Sequence, residues 1–216
     1  MSKKLMSEIF DGVSRLYDPF LKGITFGGIN RWQKALIEFL DKEGNRLDVG
    51  TGTGEVLIKS TNRGLKVGID LSMGMLKKAK DKCPYCYFLL ADAENMPFKE
   101  LSFRTITLSL VFRHIEDKST FLKEAYRVLE NGGQIGILDI NKFAGTKLLS
   151  FFIRYPLKPF GLLLFGREKW DFFLHSLENS LSILEVKRYL EMQGFRVSQL
   201  RRYMLGVVYV LRANKV

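Results

Sequence analysis

Leu47-Asp48-Val49-Gly50-Thr51-Gly52-Thr53-Gly54-Glu55 is a short apolar run that closes on an acid and then breaks into alternating glycines. Arg46 to Val49 reads as a strand, the glycines as a tight loop, and Glu55 to Thr61 as the helix that follows. Glycine lets backbone approach a ligand closely, and a helix start offers unpaired N–H groups. The stretch has the outline of a loop that holds a nucleoside-bearing cofactor. A phosphate-gripping loop would place Lys beside the last glycine, and none stands next to Gly54. The glycine spacing is also tighter than the dinucleotide fingerprint Gly-x-Gly-x-x-Gly. A glycine turn with no ligand is the plain structural alternative, so the loop's partners must decide.

Those partners are acids at the ends of the strands that follow. Leu65 to Asp70 is a strand whose terminal carboxylate is placed to accept both hydroxyls of a ribose; Leu71 follows it, and Ser72 is the N-cap of a helix reaching Lys80. Tyr87 to Ala91 is the next strand. It ends in Asp92-Ala93-Glu94-Asn95-Met96-Pro97-Phe98, where Asp92 can accept from an exocyclic adenine amine while apolar neighbours flank the ring. Asp48, Asp70 and Asp92 would repel one another across a shared crevice, which favours a ligand over a structural role for them. Thr105 to Val111 is a buried-type strand carrying Ser109 and leading into Phe112-Arg113-His114-Ile115. Helix Lys118 to Leu129 then stops at Asn131-Gly132-Gly133, ahead of strand Gln134 to Asp139. Right-handed crossovers put all these strand ends on one edge, where doubly wound sheets bind ligands.

Before the loop, Met6 to Leu40 reads as two amphipathic helices separated at Phe26-Gly27-Gly28. They cover one edge of the sheet or form a lid, and Tyr17-Asp18-Pro19 is the break at which a side chain can turn toward a cofactor. After the core, Leu148 to Phe165 is rich in large apolar side chains but is cut by Pro156, Pro159, Arg154 and Lys158, so it can be neither one helix nor an uninterrupted membrane span. It reads as a cover over a substrate pocket, as a surface dipping into a membrane, or as ordinary core. Helix Ile183 to Met192 leads to strands Arg196 to Met204 and Gly206 to Ala213, close enough in sequence to be antiparallel neighbours.

A chain of 216 residues, 46% hydrophobic and 26% charged, suffices for one substantial α/β domain. The N-terminus has no signal-sequence pattern and no uncharged run reaches the length of a membrane span, so a cytoplasmic location is expected. The net charge of +11 favours polyanions or anionic membrane surfaces as neighbours, or is a solvated Lys-rich surface. The cysteine pair Cys83-Pro84-Tyr85-Cys86 has a redox-motif spacing but precedes a strand instead of opening a helix. Zinc would need two further ligands, and His114 and His175 are far off in sequence. A structural disulfide or two free thiols remains, and no metal is expected.

Taken together these blocks resemble the class I S-adenosyl-L-methionine-dependent methyltransferases, and within them the ubiquinone/menaquinone biosynthesis C-methyltransferases. The resemblance spans nearly the full length: Phe10-Asp11-Gly12-Val13, Tyr17-Asp18, Phe26-Gly27 and Arg31-Trp32 at the front; Leu47 to Glu55, Asp92 to Phe98, Ser109 to Ile115 and Tyr126 to Leu129 in the middle; Gly206-Val207-Val208 near the end. It implies an α/β fold with a doubly wound, mostly parallel seven-stranded sheet and a C-terminal antiparallel hairpin. Residues 1–43 would be a helical lid, 44–141 the cofactor-binding core, 142–182 an apolar substrate-covering insert and 183–216 the last helix and hairpin. The expected cofactor-binding set is Tyr17, Asp48, Gly50, Thr51, Gly52, Thr53, Asp70, Leu71, Asp92, Ala93 and Ser109, with S-adenosyl-L-homocysteine as the product. Two departures bear on the acceptor: Arg113-His114-Ile115 stands where the family usually has Arg-Asn-Val, and Asp139 where it has Glu.

Methyl transfer to carbon asks the enzyme to align a carbon nucleophile, exclude water and help deprotonate the acceptor. His114 has an ordinary pKa near neutrality and is the expected base; Arg113 is the expected stabiliser of the developing oxyanion. The plain alternative is that His114 packs and Arg113 pairs with an acid. The partners expected are a small apolar or aromatic acceptor, peripheral contact with an anionic membrane, and a second copy of the chain. RNA methylation is a second reading, weakened because Ser109-Leu110-Val111-Phe112 lacks the Asn/Asp-Pro-Pro-aromatic block of amino-methylating enzymes. A cofactor-binding protein without chemistry is the third.

Overall fold

In the computed structural model, which describes residues 3–14, 16–142 and 158–216, the nine-residue stretch around the glycines joins an inner strand of the sheet to the cleft. Among the described residues, three helices precede the sheet: α1 (Lys3–Val13), α2 (Tyr17–Ile24) and α3 (Gly28–Glu38). The sequence suggested two. Pro19 accounts for the difference: it lacks a backbone N–H, so it is tolerated in the first turn of a new helix and not inside a continuous one.

Beyond them run β1 (Arg46–Val49), α4 (Glu55–Lys59), β2 (Lys66–Asp70), α5 (Met73–Lys82), β3 (Tyr87–Leu90), β4 (Phe103–Ser109), α6 (Lys118–Val128) and β5 (Leu129–Ile140). The C-terminal part holds α7 (Lys158–Glu178), α8 (Ile183–Met192), β6 (Phe195–Tyr203) and β7 (Val208–Lys215). Gly166 has φ 74° and ψ 172°, which interrupts α7. Of the expected apolar insert, residues 143–157 lie outside the described residues.

The strands form one sheet in the order β3-β2-β1-β4-β5-β7-β6. All neighbours from β3 to β5 are parallel, and β7 runs antiparallel to both β5 and β6, as the sequence led us to expect. All four residues of β1 are buried, as befits the centre of a sheet covered on both faces. That includes Arg46, whose guanidinium donates to Thr105 Oγ1 (3.0 Å), the Asp41 carbonyl (2.8 Å) and Ser60 Oγ. A buried cation needs this complete set of acceptors.

Two local expectations are corrected. Helix α4 ends at Lys59, because Ser60 adopts extended geometry (φ −73°, ψ 133°) and turns its hydroxyl to Arg46. The glycines at 132 and 133 do not stop α6. That helix ends at Val128, and the glycines lie inside β5, where the pairing shifts from Phe103↔Leu129 to Thr105↔Gln134. Gly132 has φ 68°, and a Cβ on Gly133 would come within 2.8 Å of the Glu130 carbonyl oxygen, so the irregular strand requires both.

Cys83 and Cys86 form a disulfide at the end of α5, buried with Leu57, Ile58 and Phe88. It occupies a helix-to-strand turn, not the helix start that redox chemistry uses.

Candidate active site

The parallel strands end at a cleft of about 1210 Å³, counting its open mouth, roofed by α1 to α3. Tyr17, Asp48, Gly50, Thr51, Gly52, Thr53, Asp70, Leu71, Asp92, Ala93 and Ser109 all line it, and so does His114. Arg113 does not.

The loop after β1 is shaped by two glycines with opposite reasons for being glycine. Gly50 has φ 62°, and a Cβ there would lie 2.5 Å from Val111 Cγ2. Gly52 has φ 52°, and a Cβ there would meet no protein atom within 4 Å. The first glycine is imposed by the core; the second keeps bare backbone facing the cleft.

Each acid at a strand end has donors within the protein, so the electrostatic argument made from their sequence positions does not hold. Asp48 accepts from Thr107 Oγ1 at 2.6 Å and Thr51 Oγ1 at 2.8 Å, and burial pushes its pKa up to about 6 against the effect of those bonds. It anchors the loop from beneath. Asp70 accepts from the Gly52 amide (2.8 Å) on one oxygen and the Ser72 amide (2.9 Å) on the other. Burial raises its pKa, and these amides oppose the shift. The Leu71 amide also acts on this carboxylate, whose remaining acceptor capacity can serve a ribose hydroxyl. Asp92 accepts from the Glu94 amide at 2.9 Å and from Lys3 Nζ at 2.7 Å. The position expected to take an adenine amine thus holds a lysine, which also meets Glu94 at 2.6 Å.

The roof is pinned to the rim. Thr53 Oγ1 donates to Asp18 on α2 at 2.8 Å, and Lys82 donates to both Asp18 and Glu55. Asp11 on α1 accepts from the Gly74 amide at 2.7 Å and from the Ser72 hydroxyl. Gln33 Nε2 reaches Ser109 Oγ at 3.3 Å. Burial holds the Tyr17 phenol at about 12, well above its ordinary value, with the Arg113 charge opposing and Asp70, Asp18 and Asp139 adding to the rise.

His114 is stacked on Phe172 of α7, with ring centroids 5.6 Å apart and planes 12° from parallel. Phe10 meets both rings edge-on, at 5.8 Å from His114 and 5.7 Å from Phe172. Burial is the chief reason that its pKa lies well below 6.5, followed by the Arg113 and Lys118 charges. Arg113 is committed elsewhere: its guanidinium pairs with Asp139 at 2.5 Å and its amide donates to the same carboxylate at 3.1 Å. Of the two roles expected for Arg113, the structure displays the pairing with an acid, and its side chain does not line the cleft.

Phe10, Gln33, Lys3 and Phe172 were not singled out as site residues from sequence. Their signals are ordinary helix periodicity, and only the packing of α1, α3 and α7 over the strand ends brings them to the site.

Residues 1–215 match the sequence profile of the ubiE/COQ5 methyltransferase family. The chain belongs to that family. It is an S-adenosylmethionine-dependent methyltransferase, and the bare backbone at Gly52 and the Asp70 carboxylate in the cleft wall fit that cofactor. The demethylmenaquinone methyltransferase of Thermotoga maritima is 30% identical to this methyltransferase, covering 91% of its chain and 90% of the relative's. The ubiquinone/menaquinone biosynthesis C-methyltransferase of Campylobacter jejuni is 26% identical over 97% of both chains. In fold it is similar to a SAM-dependent methyltransferase from Aquifex aeolicus, at TM-score 0.64 and 21% identity, over 85% of this chain and 89% of that one.

Proposed function

We propose that this methyltransferase C-methylates the ring of an apolar quinol precursor, in the chemistry for which its Thermotoga and Campylobacter relatives are named. The observation that carries the proposal is the His114 imidazole, set in the cleft wall and clasped by Phe10 and Phe172. When bound, S-adenosylmethionine supplies an electrophilic methyl group.

His114 receives the proton of the ring hydroxyl as the ring carbon becomes nucleophilic; once the S–CH3 bond has broken and the C–CH3 bond has formed, that carbon gives up its own hydrogen as a proton, the ring regains aromaticity and its hydroxyl is restored. Because its pKa is depressed, the imidazole is neutral across the physiological range and free to accept, and the neighbouring Arg113 and Lys118 charges speed release of that proton afterwards. Phe10 and Phe172 offer an aromatic ring apolar edges to pack on and keep water from the reacting carbon. With Arg113 paired to Asp139, the Tyr17 phenol is the donor we assign to the developing oxyanion, since it stays protonated up to about pH 12. Gly52, Asp70 and Ala93 are the residues we assign to the cofactor.

The test is turnover of a reduced, prenylated naphthoquinol or benzoquinol lacking the ring methyl, followed by mass spectrometry. His114→Ala should lower kcat about 10²- to 10⁴-fold with the affinity for S-adenosylmethionine unchanged. If wild type methylates no quinol yet turns over another small acceptor, the proposal fails.

A further inference from the structure

Phe26 and Leu205 are the most exposed large apolar side chains among the described residues, at 96% and 108%. Both occupy left-handed backbone, at φ 49° and 53°, as does Met204 at φ 49°. Residues with a Cβ pay for that conformation, and a turn that only had to reverse the chain would favour Gly or Asn. Here two separate turns hold large apolar residues in it, with their side chains in solvent.

The two turns belong to one face. Trp32 abuts Gly28, two residues past Phe26, and its ring lies 6.3 Å from that of Tyr203, which precedes Met204. Leu21, Lys22, Ile29 and Asn30, on either side of the first turn, line the cleft. The second turn is tied to the end of β5, where the Asn141 amide donates to the Val207 carbonyl at 2.8 Å and Asn141 Nδ2 to the Gly206 carbonyl at 2.9 Å. The first turn therefore adjoins the cleft, and the second lies on the same edge of the sheet, where β5 ends.

Along the chain segments that carry the two turns, the charge is of one sign. Residues 19–37 contain Lys22, Arg31 and Lys34 and no Asp or Glu; residues 192–216 contain Arg196, Arg201, Arg202, Arg212 and Lys215 and again no acid. Lys22, Arg31 and Arg202, nearest the tips in sequence, are exposed.

We propose that the turns at Phe26 and Met204-Leu205 insert into the interfacial layer of an anionic lipid bilayer while Lys22, Arg31 and Arg202 meet its headgroups. Protruding apolar tips among cations suit a deformable, negatively charged surface. A protein groove would call for a continuous apolar face, and RNA stacking for planar rings that Met204 and Leu205 lack. Docked in this way, the cleft would open toward the layer that dissolves apolar acceptors. The inference extends the proposed quinol reaction but does not need it, because binding is read without acceptor or cofactor.

The experiment is co-sedimentation of the full chain with phosphatidylcholine vesicles, with and without phosphatidylglycerol. Binding should require phosphatidylglycerol and fall with added salt. Phe26→Asn and Leu205→Asn keep residues that tolerate left-handed backbone, so the fold should melt unchanged while vesicle affinity drops about tenfold each. Leu101→Asn is the control: Leu101 is also left-handed and half-exposed, but it precedes β4 on the opposite edge of the sheet. Its variant should bind as wild type does. The proposal is overturned if wild type ignores phosphatidylglycerol vesicles, if the two tip variants bind undiminished, or if Leu101→Asn loses as much.

Discussion

The Thr107 hydroxyl donates to the Asp48 carboxylate at 2.6 Å from the neighbouring strand, so the acid that closes β1 is answered inside the sheet before any ligand arrives. Its folded pKa of about 6 exceeds the ordinary 3.8, so the folded state binds this proton more tightly than the unfolded chain does. Stability from Asp48 is then fully present below about pH 4 and is lost as pH rises through about 6, by about 3 kcal/mol. His114 acts in the opposite sense: its depressed pKa means stability that is present above 6.5 and lost as pH falls below it. Urea titrations of wild type and Asp48→Asn at several pH values separate the two. The wild type should gain on the variant as pH falls from 7 to 4.

Gly50 and Gly52 should respond differently to a methyl group. Gly50→Ala forces a contact with Val111 in addition to backbone strain and should cost about 3 kcal/mol in a denaturant titration. Gly52→Ala carries the strain alone, about 1 kcal/mol, but places its methyl in cofactor space. Calorimetry should show at least a tenfold loss of S-adenosylmethionine affinity for Gly52→Ala in a protein that still melts cooperatively.

Asp18 joins the roof to the loop through Thr53 and Lys82. Because these groups are partly exposed, the link contributes only about 1 kcal/mol. Asp18→Asn should speed release of S-adenosylmethionine several-fold in stopped-flow displacement. Raising the salt concentration should speed wild-type release more than that of the variant.

Asp139 carries the Arg113 guanidinium and amide together, and so holds the short turn Phe112–His114 on which the proposed base sits. Asp139→Asn leaves a buried arginine without its counter-charge, a change worth about 3 kcal/mol. It should lower kcat through a displaced His114 while cofactor binding, measured by calorimetry, stays close to wild type.

The fold was legible because strands that close on an acid recur, the first of them followed by the glycine loop, and right-handed crossovers leave such strand ends one edge to share. The placing of the strand ends was legible for the same reason: Asp48 to Thr53, Asp70, Asp92 and Ser109 all line the cleft. Arg113 shows the limit. Its sequence neighbour His114 enters the cleft, yet two adjacent residues on a short turn point apart, and Asp139, twenty-six residues on, decides which is withdrawn.

By itself, the sequence determined the glycine loop, the strands and their antiparallel end, since each depends on local periodicity or spacing, and its motif blocks carried the resemblance that implied the family and the seven-stranded sheet. Only the tertiary structure decided what the acids do, because a carboxylate's role depends on the donors that reach it: Thr107 for Asp48, the Gly52 amide for Asp70, Lys3 for Asp92. It alone placed Phe10 and Phe172 around His114, because those rings come from helices more than fifty residues away on either side, and no local pattern encodes such a meeting.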